Sequence, residues 1–152
     1  MTTIHLSQTT TATPEQFIDA VTDFGPGRSK VFPGSADAYL EVHDKGPNHA
    51  DVTEGSGGIW ERLHYDWSDP NRVVMTTTDS NAWGGNSGHT YTFTRLPDGT
   101  TEVDVVVIRE GKNLKGRVLG LAVGIMGKRV IAKQFGKTVK AVEARSDAAK
   151  AA

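Results

Sequence analysis

A succession of alternating segments through the middle of the chain constrains its fold more than any other feature. Between Ala36 and Glu110, polar and apolar residues alternate in six segments, and residues that favour turns separate each segment from the next. This alternation is the period of a β-strand with one buried face. Short gaps between such strands predict hairpins and therefore an antiparallel sheet. The predicted strands cover roughly 36–44, 49–55, 58–67, 72–79, 88–96 and 101–110.

The strongest turn signal is Pro97-Asp98-Gly99, because aspartate followed by glycine between alternating segments is typical of a tight hairpin. The two-residue period also assigns faces to the strands. The face predicted to point inward combines aromatic and aliphatic residues with a few polar ones: Ile59, Glu61, Leu63, Tyr65, Trp67, His89, Tyr91, Phe93, Arg95, Val103, Val105, Val107 and Arg109. The predicted concave side thus mixes aromatic rings with a few polar groups.

The segments before the predicted hairpins contain a strand and two short helices. Ile4 and Leu6 alternate with polar residues and predict the first strand. Thr13-Pro14-Glu15-Gln16 has the form of a capping box with proline at the first helical position, and predicts a helix through Phe24. Gly25-Pro26-Gly27 ends this helix, and one further helical turn is predicted before Pro33-Gly34.

After Gly111 the apolar period lengthens and predicts one long helix to about Arg145. Its first half is apolar all around, and Gly116, Gly120 and Gly124 recur at every fourth position. The apolar run is too short for a bilayer span, which needs roughly 20 residues. Three interpretations of this half remain: it borders a ligand cavity with space beside the glycines, it packs tightly in the core, or it pairs with a second copy.

Length and composition narrow the possible functions. A chain of 152 residues predicts one domain, here 1–145, followed by a disordered small-residue tail, 146–152. The formal net charge of −1 indicates neither a nucleic acid nor a membrane surface as partner, and the absence of cysteine excludes disulfides and thiolate zinc sites. The N-terminal residues lack the pattern of a signal peptide, so we expect a cytoplasmic protein.

No compact catalytic motif is present. The five histidines show no metal-ligand spacing, and Gly136-Lys137-Thr138 lacks the earlier glycine of a phosphate-binding loop, so we expect neither a metal nor another cofactor. Glu61 and Arg109 are the best polar candidates, because both fall on the inward face and could pair across it. The alternative is that one or both reach the cavity mouth and water.

The order of predicted elements and several short motifs resemble the START-like, helix-grip superfamily, and most closely its polyketide cyclase/dehydrase branch, grouped under the name SRPBCC. The resemblance covers nearly the whole chain. It rests on the opening strand running into Ala12-Thr13-Pro14-Glu15-Gln16-Phe17, on Asp23, on Trp67-Ser68-Asp69-Pro70-Asn71-Arg72, on Asp98-Gly99-Thr100 before a valine-rich last strand, and on the long terminal helix.

The resemblance implies an α+β helix-grip fold, in which a seven-stranded curved antiparallel sheet wraps around the C-terminal helix and two short helices follow the first strand. Family members of this kind hold apolar molecules such as lipids, sterols or polyketides in a cavity between sheet and helix. In such a cavity we expect a ligand to contact Leu63, Tyr65, Trp83, Tyr91, Phe93, Val105, Val107, Leu119, Val123 and Met126.

Three functions are compatible with this resemblance. The first is binding of a small hydrophobic or amphipathic ligand by a monomer or weak dimer. The second is cyclase or dehydratase activity that uses polar cavity residues, with Glu61 and Arg109 as candidates. The third is a regulatory or interaction role for a protein whose cavity is filled by its own side chains.

Overall fold

The computed structural model describes residues 1–151, which fold as an α+β helix-grip domain. Seven strands, β1 to β7 in chain order, span Thr2–Thr10, Glu41–Lys45, His49–Ser56, Ile59–Asp66, Arg72–Ser80, Gly88–Arg95 and Thr101–Arg109. They form one antiparallel sheet in the order β1-β7-β6-β5-β4-β3-β2. The first strand therefore pairs with the last, while every other neighbour is a hairpin partner. The predicted sheet and strand number are confirmed.

Among the strands, only the start of β2 differs clearly from the prediction. A strand was expected from residue 36, but Asp37–Tyr39 form a turn of 3₁₀ helix. The Asp37 carboxylate accepts a hydrogen bond from the Gly27 amide at 3.1 Å, and the Ala36 amide donates to the Gly55 carbonyl oxygen at 2.9 Å. These contacts bend the backbone away from the sheet, so the strand begins only at Glu41.

The first helix, α1, spans Pro14–Val21 and has the predicted capping box. The Thr13 hydroxyl accepts from the Gln16 amide at 3.2 Å, and the Gln16 side chain accepts from the Thr13 amide at 2.9 Å. The helix ends three residues before the expected Phe24. The Asp23 carboxylate accepts from the Gly25 amide at 3.0 Å, and this local turn replaces a further helical turn. The predicted short helix follows as a 3₁₀ turn, Arg28–Lys30.

The terminal helical segment has three parts. Helix α2 spans Leu114–Ala122, a π-helical segment spans Val123–Gly127, and helix α3 spans Lys128–Ala151. The helix continues through residues 146–151, where a disordered tail was predicted, because Ser146 is buried and its hydroxyl donates to the Val142 carbonyl at 2.9 Å. Ala152 lies outside the described residues. No helix within residues 1–151 is long and apolar enough to cross a membrane.

Helix α3 packs its apolar face on the concave face of the sheet. Phe135, Val139 and Val142 are buried, and the Phe135 ring lies 6.4 Å from that of Tyr91. Most of the residues predicted to point inward are buried or partly buried. Arg95 is the exception, since it is exposed at the end of β6 and forms an ion pair with Glu15. The core is therefore closed at this end of the sheet by α1 and α3.

The three regularly spaced glycines of the C-terminal segment do not share one role. A Cβ on Gly116 would lie 1.9 Å from the Ala82 carbonyl oxygen, so glycine is required there for close backbone approach. A Cβ on Gly120 would meet only the Trp83 ring at 3.9 Å, and one on Gly124 only the Thr2 hydroxyl at 3.7 Å. Both are ordinary contact distances. The expected cavity beside these glycines is thus replaced by a backbone contact at Gly116 and by loose surface packing at the other two.

We predict opposite effects of alanine at Gly116 and Gly120. Gly116→Ala should lower the free energy of unfolding by about 1–3 kcal/mol, because the methyl group overlaps a backbone carbonyl that cannot rotate away. Gly120→Ala should raise it by about 0.5–1 kcal/mol through better helix propensity. Urea unfolding of both variants beside the wild type measures this. Equal effects of the two substitutions would show that Gly116 and Gly120 do not differ in packing.

Candidate functional site

A cavity of about 280 Å³ lies between the concave face of the sheet and helix α3. The third function considered above requires a cavity that is filled by the protein's own side chains. The interior is not filled in this way. Strands β3 to β7 supply most of its wall, and the segment around Phe32 and Ser35 supplies another part. From the C-terminal helix, the wall residues are Ile131, Gln134, Phe135 and Thr138.

Many of the residues that the sequence placed in a ligand site lie on this wall. They are Leu63, Tyr65, Trp83, Tyr91, Val105 and Val107, together with the polar candidates Glu61 and Arg109. Alternation along the strands brings them to one face, because residues two apart project to the same side of a sheet. Their contact with a ligand stays a prediction.

Phe93, Leu119, Val123 and Met126 lie elsewhere. The Phe93 ring is buried behind the wall and packs on Phe17 with ring centroids 5.3 Å apart. Met126 is 69% exposed, while Leu119 and Val123 are half-buried outside the cavity. The physical reason is that the helix crosses the cavity later than expected. Its first half passes beyond the cavity, and residues 131–138 take the place that residues 119–126 were predicted to occupy.

Glu61 and Arg109 form a paired charge inside the cavity. The two guanidinium nitrogens Nη1 and Nη2 of Arg109 donate to the two carboxylate oxygens of Glu61 at 2.9 and 3.0 Å. The Thr77 hydroxyl also donates to Glu61, at 2.9 Å, and the Trp83 ring stacks 5.1 Å from the Arg109 guanidinium carbon. Burial works to raise the pKa of Glu61, but the charge and hydrogen bonds of Arg109 outweigh it and hold that pKa below its usual range. Glu61 is thus an ionised, fully engaged acceptor.

His89 extends this pair, and sequence reasoning assigned it no role. Its Nε2 lies 3.0 Å from Nη2 of Arg109. Because a guanidinium group can only donate, Nε2 must accept, and the proton of the neutral ring is on Nδ1. Burial and the positive charge of Arg109 lower the pKa of His89 to about 4, so the ring is neutral at pH 7. The available signal was its predicted place on the inward face, and the structure adds that His89 lies directly opposite Val107, two residues before Arg109.

The Nδ1–H group of His89 forms no hydrogen bond within the protein. Among the described residues, every fully enclosed side-chain nitrogen or oxygen has a hydrogen-bond partner. Because Nδ1 has none, it is not fully enclosed and must border open space. His89 lines the cavity, so the cavity is the open space beside the ring. The site therefore offers one neutral, unengaged donor next to a neutralised ion pair.

A second polar network lies at another part of the wall, and it too was not identified from sequence. Arg28 donates from Nε to Glu54 at 2.5 Å and from Nη2 to the Tyr65 hydroxyl at 3.0 Å. The Phe24 and Phe32 rings lie 4.5 and 4.7 Å from its guanidinium carbon. Glu54 shares the alternation of the buried residues of β3, which was a usable signal, whereas Arg28 comes from a turn that no periodicity places.

Tyr65 and Glu54 belong to that network as a proton donor and its acceptor. The Tyr65 hydroxyl donates to one Glu54 oxygen, and the Ser35 hydroxyl donates to the other at 2.8 Å. Burial and the Glu54 charge raise the pKa of Tyr65 well above its usual value, so the phenol keeps its proton. Both cavity carboxylates are therefore paired with arginine. Among residues 1–151, no group of three or more histidine, cysteine, aspartate and glutamate residues could hold a metal ion.

Comparisons with known proteins agree with this architecture. The family model described as "Polyketide cyclase / dehydrase and lipid transport" matches residues 1–143. A search of functionally curated proteins found no significant match.

Several solved structures are similar over nearly their whole length. A protein from Thermus thermophilus has a TM-score of 0.70 at 15% identity, with 97% of this chain and 99% of that chain covered. The Zhui aromatase/cyclase from Streptomyces sp. R1128 has a TM-score of 0.67 at 13% identity, with 96% and 93% covered. A START superfamily protein from Mycobacterium smegmatis has a TM-score of 0.66 at 14% identity, with 94% and 95% covered. At sequence identities this low, the structural likeness shows a shared fold and nothing about a shared activity.

The depressed pKa of His89 predicts a pH dependence of stability. His89 binds a proton near pH 6.5 in the unfolded chain but only near pH 4 in the folded chain. The contribution of His89 to the free energy of unfolding is therefore complete above pH 6.5 and is lost as the pH falls toward 4. The free energy of unfolding should drop by about 2 kcal/mol between pH 7 and pH 5 from this group alone. His89→Gln should remove that part of the slope in urea unfolding.

His5→Gln is the matched control, since His5 is exposed on β1. This variant should keep the wild-type slope. An unchanged slope in His89→Gln would mean that the ring is not held neutral by the cavity.

Proposed function

The chain belongs to the family of polyketide cyclases, dehydrases and lipid transport proteins, and we propose that it binds a small amphipathic molecule in the cavity under helix α3. The apolar body of this ligand packs on Leu63, Tyr91, Val105 and Val107. Its single polar group is a hydrogen-bond acceptor that meets the Nδ1–H of His89. The unengaged donor of His89 is the observation that carries the proposal.

The size and lining of the cavity support a compact ligand. Small-molecule pockets range from about 300 to 1,000 Å³, and the cavity of about 280 Å³ lies just below the lower limit of this range. A fused two-ring molecule is of suitable size. Contact with the aliphatic and aromatic wall would bury the apolar surface of the ligand, and each Å² buried contributes about 25 cal/mol to the binding free energy.

The charges around the donor favour a neutral acceptor over an anion. Arg109 is already neutralised by Glu61, and both of its terminal nitrogens are engaged. A ligand carboxylate would approach the Glu61 carboxylate without a free cation beside it, and like charges in a buried site repel. A carbonyl or ether oxygen satisfies the His89 donor without this repulsion.

A second candidate is cyclase or dehydratase chemistry. Two observations favour it: the structural likeness to the Zhui aromatase/cyclase and the ionisable residues on the cavity wall. Such reactions require a base that removes a proton next to a carbonyl group. The geometry offers little for this step, because Glu61 is held by Arg109 and Thr77, and the Nε2 lone pair of His89 is occupied by Arg109. Binding without turnover is therefore the function we propose.

A matched pair of ligands tests the role of His89. The compounds 2-acetylnaphthalene and 2-ethylnaphthalene differ by a carbonyl oxygen in place of two hydrogens. Equilibrium dialysis of both against wild type and His89→Phe yields the ketone-to-hydrocarbon affinity ratio for each protein. We expect this ratio to be about two- to tenfold higher in the wild type, which corresponds to one hydrogen bond.

His89→Gln is the rescue control, since its amide can accept from Arg109 and donate to the ligand at once. It should keep most of the wild-type ratio. The same ratio in wild type and His89→Phe would place the polar end of the ligand elsewhere. Failure of both compounds to bind the wild-type protein would contradict the proposed function itself.

Deuterium exchange distinguishes binding from catalysis. In heavy water, a base in the cavity would accelerate exchange of the methyl hydrogens beside the carbonyl of 2-acetylnaphthalene. We expect no acceleration over buffer near neutral pH, because the candidate bases are engaged. Mass spectrometry of the recovered ketone measures the exchange. Acceleration that disappears in Glu61→Gln would instead support the enzymatic function, with Glu61 as the base.

A further inference from the structure

The outer side of helix α2 and the π-helical segment exposes large apolar side chains. Leu114 is 78% exposed, Leu121 69% and Ile125 83%, and Val118 is also exposed. The spacings of four, three and four residues place these side chains on one side of the helix. We call this set, Leu114, Val118, Leu121 and Ile125, the outer stripe.

Contacts on the inner side fix the orientation of the outer stripe. The Asn113 side chain caps the helix by accepting from the Gly116 amide at 2.8 Å, and the Gly116 backbone lies against the Ala82 carbonyl. The Thr2 hydroxyl donates to the Gly120 carbonyl at 3.4 Å. Because these contacts hold the opposite face of the helix, the outer stripe cannot rotate inward to cover itself.

Basic residues flank the outer stripe. Residues 111–142 contain eight lysine and arginine residues and no aspartate or glutamate, although the whole chain has a formal net charge of −1. Lys115 and Arg117 are exposed beside the stripe, and at 3.6 residues per turn they project on its opposite flanks. Lys128 and Arg129 are exposed at its end. An apolar helix face with basic flanks is the pattern of a helix that lies in a bilayer interface.

We propose that the outer stripe docks on the surface of a bilayer with anionic headgroups, with the helix parallel to the membrane plane. The apolar side chains enter the boundary between headgroups and acyl chains, while Lys115, Arg117, Lys128 and Arg129 meet the headgroups. A second copy of the chain is the poorer occupant. An isologous contact through this stripe would bring the same basic residues of both copies together, and like charges oppose it.

This proposal is independent of the cavity ligand. The outer stripe shares no residue with the cavity wall, whose helical residues begin at Ile131. Vesicle binding can therefore be present or absent whether or not a naphthyl ketone binds in the cavity.

Vesicle sedimentation tests the docking. The full chain is mixed with vesicles of phosphatidylcholine alone or of phosphatidylcholine with phosphatidylglycerol. We expect sedimentation with the anionic vesicles only, and loss of binding as salt screens the charges. Lys115→Gln combined with Arg117→Gln should weaken binding about 20- to 30-fold, since each basic residue near an anionic surface contributes about fivefold.

The apolar contribution needs its own variant and control. Leu121→Gln combined with Ile125→Gln keeps the charge and should weaken binding at least about tenfold through lost apolar burial. Val42→Gln is the matched control, because Val42 is an exposed apolar residue on edge strand β2. It should bind as the wild type does. Thermal melting of each variant verifies that the fold is retained.

A tryptophan at the stripe reports insertion directly. Ile125→Trp should show a shift of its emission to shorter wavelength with anionic vesicles, and Val42→Trp should not. Absence of binding to anionic vesicles at low salt would overturn the proposal. Binding that depends on the basic residues but not on Leu121 and Ile125 would also overturn it, because the protein would then adsorb by charge alone without inserting the stripe. A dimer in sedimentation equilibrium that dissociates in the Leu121→Gln, Ile125→Gln variant would assign the stripe to self-association instead.

Discussion

The curvature of the sheet favours the ion pair between Arg109 and Glu61. Arg109 ends β7 and Glu61 lies in β4, and two strands separate them in the sheet order. Strands are about 4.8 Å apart, so in a flat sheet the two backbones would be roughly 14 Å from each other. Side chains that stand perpendicular to a flat sheet would not close this gap, so a concave sheet, which tilts the two side chains toward each other, favours the bidentate contact at 2.9 and 3.0 Å. A register shift between Arg62 and Leu63, next to Glu61, supplies a local bend of the kind that bulges produce. The same curvature creates the space under α3.

Burial of two arginine–glutamate pairs determines what this space can hold. Removing charges from water is costly, and pairing restores part of that free energy only when the remaining donors and acceptors are also satisfied. Here Thr77 and His89 complete one pair, and Ser35 and Tyr65 complete the other. The cavity is thereby lined by charges that cancel locally, and the donor left over belongs to a neutral ring. This arrangement favours selection of a neutral acceptor over proton transfer, because no group in it is both basic and free.

Sequence reasoning predicted the sheet and much of the cavity wall, since alternation along a strand fixes the face of every residue. Glu61 and Arg109 were placed on the inward face in this way, but the sequence left open whether they pair across the cavity or reach its mouth and water. Periodicity does not say where along its axis a helix crosses a sheet. The cavity-lining part of the helix was therefore predicted over Leu119 to Met126, whereas the wall uses Ile131 to Thr138. The Arg28 network needed tertiary information, because its arginine comes from a turn and its partners from β3 and β4.

The basic surface of α2 shows why a formal net charge is a weak guide to partners. A charge of −1 for the whole chain argued against a membrane surface, but a flat partner contacts only one face of a protein at a time. Screening at physiological salt confines each charge to about 8 Å, so acidic residues on the far side contribute little at the stripe. Attraction of the stripe to an anionic surface therefore depends on the charge within about 8 Å of Leu121 and Ile125. The nearest acidic residues in sequence, Glu110 and Glu143, lie outside the helical turns that carry the stripe. Charge segregation along one helix can therefore create an anion-complementary surface on a chain that is nearly neutral overall.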